Sequence, residues 1–154
     1  MEISDRLFKT AVYEQCFNAI QSRIANAEFA LRQAREASQD DTKSSAGDKY
    51  ETTREMMQQD IDRNNAQLYE AKKVAFQLEQ CKEVERQDQV KAGSIVKTSK
   101  ALLYVAVSIG QIQVAEHTVF AISPASPIGQ VLLGKYLGDT FSFNGITQNI
   151  EEIY

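Results

Sequence analysis

An α+β fold is expected from this sequence. A long antiparallel α-helical coiled-coil hairpin occupies residues 1–90, and a small antiparallel sheet domain with one short helix occupies 91–154. Three observations predict it. Apolar residues recur at alternating steps of three and four on both sides of a polar link, Asp40 to Glu51. No Pro occurs before Pro124, and the only Gly before Gly93 is Gly47, inside that link. From Gly93 onward the apolar period changes from helical to alternating or continuous, as in strands.

The first arm has Ser4 as its expected N-cap, with Leu7 and Ala11 opening the apolar face. Phe17, Ile20, Ile24, Ala27, Leu31 and Ala34 continue it as an a/d seam. The second arm repeats the pattern with Met57, Ile61, Asn64, Leu68, Ala71, Ala75 and Leu78, while Glu, Gln, Lys and Arg between the seams solvate the outer faces. Arms of about 35 residues at ~1.5 Å each make a rod roughly 50 Å long. The link, about 40–51, becomes its tip. Pairing positions whose numbers sum to about 92 would set Leu31 against Ile61 and Asn64 near Ala27, where a polar seam residue either fixes register or sits at the edge. Cys16 and Cys81 lie near the base as small buried groups, with a disulfide as the alternative.

In the last third, Ser94–Thr98, Leu102–Ser108 and Val119–Ile122 are expected strands, with Gly110 breaking the second. Ser126 caps a helix, Pro127 takes its first position, and Ile128, Val131 and Leu132 form its face until Gly134 ends it. Thr140–Phe143 and Ile146–Ile153 flank Asn144-Gly145, a strong hairpin signal.

Charge is unevenly placed. Of 17 basic and 21 acidic residues, four of each fall in residues 91–154, leaving 13 and 17 in the first ninety. The acidity therefore belongs to the hairpin, and the broad basic surface of an autonomous nucleic-acid binder is missing. The two Cys and single His make no metal-ligand spacing. No signal peptide or apolar run long enough to span a membrane is present, which points to a reduced, cytoplasmic protein.

The run Ile122-Ser123-Pro124-Ala125-Ser126-Pro127-Ile128-Gly129, followed by Leu132-Leu133-Gly134-Lys135 and Gly138-Asp139, closely resembles the C-terminal signature of the Gre transcript cleavage factors of bacterial RNA polymerase. The resemblance implies an FKBP-like C-terminal domain that docks on the polymerase through Ser123, Pro124, Ser126, Pro127, Ile128 and Gly129. It also implies a coiled coil that enters the secondary channel as a monomer. Tip carboxylates would there help hold a Mg²⁺ shared with the polymerase, so that backtracked RNA is hydrolysed. Such a factor is no enzyme itself but stimulates the polymerase's own RNA cleavage. Two-metal phosphoryl hydrolysis calls for hard oxygen ligands, which explains the residue type.

At the tip the family pattern Gly-Asp-x-x-Glu-Asn-Ala-Glu-Tyr meets Asp40-Asp41-Thr42-Lys43-Ser44-Ser45-Ala46-Gly47-Asp48-Lys49-Tyr50. Asp41 matches the aspartate. Ser44 and Ser45 replace the glutamate and asparagine, and two extra residues precede Tyr50. Asp48, freed by Gly47, is the candidate second carboxylate. Arg32, Arg35, Lys43, Lys49 and Arg54 are the candidate contacts to the RNA 3′ end.

Blander readings stand beside these. Asp48 and Glu51 can serve as a capping box. The basic cluster can be a salt-bridged helix surface, and His117 a plain surface residue. The replacement at Ser44 also suits a non-cleaving regulator of the same channel. A third class, a coiled-coil interaction module unrelated to transcription, lacks an account of residues 122–139.

Overall fold

The structure, a computed structural model, describes residues 2–41 and 48–154, with side chains described for 5–39 and 51–154. Two helices come first, α1 (Glu2–Asp41) and α2 (Asp48–Glu79). Strands β1 (Ile95–Thr98), β2 (Leu102–Val105), β3 (Gly110–Val114) and β4 (His117–Ile122) follow. Helix α3 (Pro127–Leu132) precedes the last pair, β5 (Thr140–Phe143) and β6 (Ile146–Ile153). The chain divides into two compact units, Met1–Ala19 with Phe76–Tyr154, and Ile20–Ala75.

Helix α1 begins at Glu2, so Ser4 lies within its first turn and is not the cap. Val12, Cys16, Ile20, Ala27 and Leu31 are buried on it, with Ile24 and Ala34 half-buried. The expected stripe is present from Ile20 onward but is entered through Cys16. Phe17, one position and about 100° further round the helix, is 42% exposed. Helix α2 carries a stripe of burial at the expected positions: Ala71 and Leu78 are buried, and Met57, Ile61, Asn64, Leu68 and Ala75 are half-buried.

The six strands form one sheet in the order β3-β4-β2-β1-β6-β5. Neighbours are antiparallel except β2 and β4, which run parallel with Leu103 opposite Phe120. The sheet is therefore mixed, and the wholly antiparallel expectation is corrected at that pair. Strand β2 also ends at Val105 instead of Ser108, and Gly110 opens β3. That strand was missed in the sequence because its turn carries no turn residues. Val114 pairs with His117 across Ala115-Glu116, and Ala115 adopts φ 55°, a region that β-carbon sterics disfavour. The predicted hairpin is present: Phe143 pairs with Ile146, and Asn144 and Gly145 take φ 51° and 77°, the primed turn that suits sheet twist.

Successive strand residues point to opposite faces, and both faces of the sheet centre are buried. On one face Val96, Leu103, Val105, Ile150 and Ile153 pack with Leu132 of α3 and with Phe141. The other face carries Ile95 and Tyr104, both 0% exposed. The start of α1 belongs to this same unit. Its Phe8 ring meets His117 of β4 edge-on at 5.4 Å, and its Lys9 donates to the carbonyls of Val84 and Tyr154 at 2.8 and 3.1 Å. Between β1 and β2, Thr98 Oγ1 accepts from the amides of Lys100 and Ala101 and donates to buried Gln148 at 2.7 Å. That buried polar pair is thereby satisfied.

Candidate functional site

The segment that carries the family-like signature is a self-bonded loop leading into α3. Ser123 O accepts from Ser126 N at 3.0 Å and from Ser126 Oγ at 2.6 Å. Ser123 Oγ accepts from Ala125 N at 3.1 Å. Ser126 is the N-cap of α3, its Oγ accepting from Gly129 N at 3.1 Å, and Pro127 occupies the first turn where its missing N–H costs nothing. Gln130 Nε2 closes the arrangement on Ala125 O at 3.1 Å.

Gly129 sits at the centre of this segment and is buried. A Cβ there would stand 2.1 Å from Ser123 O and 2.9 Å from the Pro124 backbone. Only glycine lets the helix approach the loop this closely. Loop and helix thus form one small fixed surface, on which Pro127 is exposed and Ser123, Pro124, Ser126 and Ile128 are half-exposed. All six predicted docking residues are brought together. Leu133, Tyr136 and Leu137, which follow α3, are exposed at 39, 55 and 46%. They were not singled out in the sequence, although Leu133 is part of the signature and an aromatic-aliphatic run past a helix stop was a readable signal.

The predicted tip residues fall at the boundary of what is described. Asp41 is the last residue of α1 and Asp48 the first of α2. Their side chains, with Lys43 and the side chain of Lys49, lie outside the described residues. Carboxylates suit Mg²⁺ by donor type. Among the described residues no group of three or more His, Cys, Asp or Glu could hold a metal ion. Arg32, Arg35 and Arg54 are all exposed. At ~1.5 Å per residue they lie roughly 9–14 Å along their helices from Asp41 or Asp48. The Arg32 guanidinium lies over the Phe29 ring at 5.9 Å, a contact that holds it near the surface without consuming its donors.

A concavity away from that segment was not anticipated. A groove of about 840 Å³ runs between the first turns of α1 and the connector after α2, lined by Asp5, Lys9, Tyr13, Phe17, Arg86 and Tyr154 among others. Arg86 pairs with Asp5 at 3.2 Å and lies over the Tyr154 ring at 5.3 Å. Burial, then the neighbouring Lys91, lowers the Lys9 amine to about 8. Tyr154 is pushed up to about 12 by burial and by its hydrogen bond to Glu152. Burial raises both thiols, Cys16 to about 11. No spacing signal exists for this groove, because its two walls are separated by more than sixty residues in the chain.

No family model matches this chain, and no curated protein matches it significantly. Among the described residues no helix is long and apolar enough to cross a membrane.

Proposed function

We propose that this protein is a Gre-like factor of bacterial RNA polymerase. Its C-terminal sheet domain docks on the polymerase through Ser123–Gly129. Its two long helices act as an antiparallel coiled-coil hairpin that carries Asp41 and Asp48 into the secondary channel. There the carboxylates help place a Mg²⁺ shared with the polymerase, and backtracked RNA is cleaved. The ion supplies charge neutralisation and a bound water. The chain supplies hard oxygen ligands and, from Arg32, Arg35, Lys43, Lys49 and Arg54, cations toward the RNA backbone.

The observation that carries this reading is the loop at Ser123–Gly129. The signature residues are the ones that bond to each other, cap α3 and demand glycine at its core, and they sit on a small sheet domain preceded by two helices of 40 and 32 residues. The burial stripes on those helices, with steps of three and four, suit a coiled-coil seam.

A stalled, backtracked elongation complex tests it. Added protein with Mg²⁺ is expected to release short 3′ RNA fragments faster than polymerase alone. Asp41→Ala abolishes the acceleration and Asp48→Ala reduces it. Normal cleavage by Asp41→Ala would refute the ligand role. Ser44, standing where the family carries glutamate, favours a second reading, a channel regulator that does not cleave. Retention of polymerase without any acceleration of cleavage selects that reading, and failure to retain polymerase in a pull-down rejects both.

A further inference from the structure

The groove at Lys9 lies wholly within the first unit, and one face of α1 supplies a wall of it. Lys9, Tyr13 and Phe17 stand four residues apart, so they share that face, and all three line the groove. The Tyr13 and Phe17 rings are stacked, 6.3 Å apart and 17° from parallel. Helical side chains lean toward the N-terminus, which carries the Tyr13 ring over the turn that holds Lys9. The Lys9 amine donates to two main-chain oxygens, Val84 O at 2.8 Å and Tyr154 O at 3.1 Å. Neither oxygen is loose. Val84 packs so closely on Gly93 that a Cβ there would stand 2.5 Å from its side chain. Tyr154 O also accepts from Ile95 N at 3.1 Å. Among the described residues no Asp or Glu forms an ion pair with Lys9. A neutral amine has two N–H hydrogens, one for each oxygen, and keeps its lone pair; an ammonium has a third hydrogen to satisfy.

We propose that Lys9 is the nucleophilic amine of a covalent site for a planar aromatic aldehyde, whose ring lies against Tyr13. The lone pair attacks the carbonyl carbon. The two N–H hydrogens then leave with the aldehyde oxygen as water, a C=N bond replaces the C=O bond, and solvent protonates the imine. No oxidation state changes. The protonated imine retains one N–H, which Val84 O accepts, while Tyr154 O keeps its bond from Ile95 N, so neither oxygen is orphaned. Burial, then Lys91, holds the amine at about 8 in place of 10.5, so a substantial share is unprotonated near neutral pH. Four acidic and four basic residues line the groove, so its net charge selects no ionic ligand. The stacked rings select a flat apolar one.

The test incubates the full chain near neutral pH with benzaldehyde, an uncharged aromatic aldehyde, and traps the imine with cyanoborohydride for peptide mass mapping. The expected result is a single label per chain, at Lys9, formed at least about tenfold faster than at the exposed Lys72 and Lys73. Lys9→Arg keeps the charge and loses the label. Tyr13→Ala raises the benzaldehyde concentration for half-labelling by about fivefold. The same variant leaves the labelling of Lys9 by acetaldehyde, which has no ring, at the wild-type rate. Where Tyr13→Ala fails to fold, Tyr13→Leu is read in its place. Equal rates at Lys9 and Lys72, labels that spare Lys9, an unchanged benzaldehyde requirement in the folded Tyr13 variant, or an equal loss with acetaldehyde each overturns the proposal.

Discussion

The α-carbon of Gly129 lies so close under the Ser123 carbonyl that a methyl group between them would sit 2.1 Å from the oxygen. In an ordinary helix interior alanine is favoured over glycine by about 1 kcal/mol. Here the obstruction is backbone on both sides, Ser123 O and Pro124, and it cannot swing aside as a side chain would. Gly129→Ala is therefore expected to destabilise the protein by about 2 kcal/mol or more. Urea unfolding monitors this directly, and an unchanged or higher midpoint would contradict the packing described.

Tyr104 makes the opposite prediction for a core residue. Its ring is wholly buried and its hydroxyl is unpaired. Tyr104→Phe keeps the ring and removes the stranded group, so the protein should gain up to about 1 kcal/mol. A loss of stability, measured by chemical denaturation, would mean that the hydroxyl has an acceptor.

Lys9 imposes a pH dependence. Its amine titrates near 10.5 when unperturbed and about 8 in the fold, lowered by burial first and by Lys91 second. Between those values the unfolded chain binds more protons at this site than the folded one, so this contribution to stability rises with pH across the window. Below it, the folded state carries the full cost of the half-buried charge, on the order of 1–2 kcal/mol once solvent screening is allowed for. Wild type should gain about 1 kcal/mol on Lys9→Met between roughly pH 7.5 and 9.5. The Cys16 and tyrosine titrations carry no contribution from Lys9 and are common to both proteins, so a flat difference between the two curves would count against the assignment.

The turn at Asn144-Gly145 holds β5 to β6 with both residues at positive φ. Gly145→Val places a β-branched side chain where φ is 77°, at an expected cost of about 1–3 kcal/mol. The hairpin register is read by amide exchange at β5 and β6. Protection equal to wild type at those amides would show that the turn tolerates the branched residue.

Much of this was legible in the amino-acid order. The α2 burial stripe from Met57 to Leu78, the Ser126 cap with Pro127 behind it, and the Asn144-Gly145 hairpin all rest on patterns among residues a few places apart. Local chemistry determines such features, because helix period, cap hydrogen bonds and the φ preference of Asn and Gly need no distant partner. The exchange of Phe17 for Cys16 at the start of the α1 stripe was not legible. Either residue continues a three-four step, and only the surface packed against the helix selects between them.

Tertiary structure alone decided the rest. Strand β3 closes on β4 through Ala115-Glu116, where sheet pairing overrides the reluctance of alanine to take positive φ. The parallel union of β2 with β4 and the groove at Lys9 join residues far apart in the chain. Their positions follow from how the sheet and the first turns of α1 exclude water together, a collective term that no local pattern encodes.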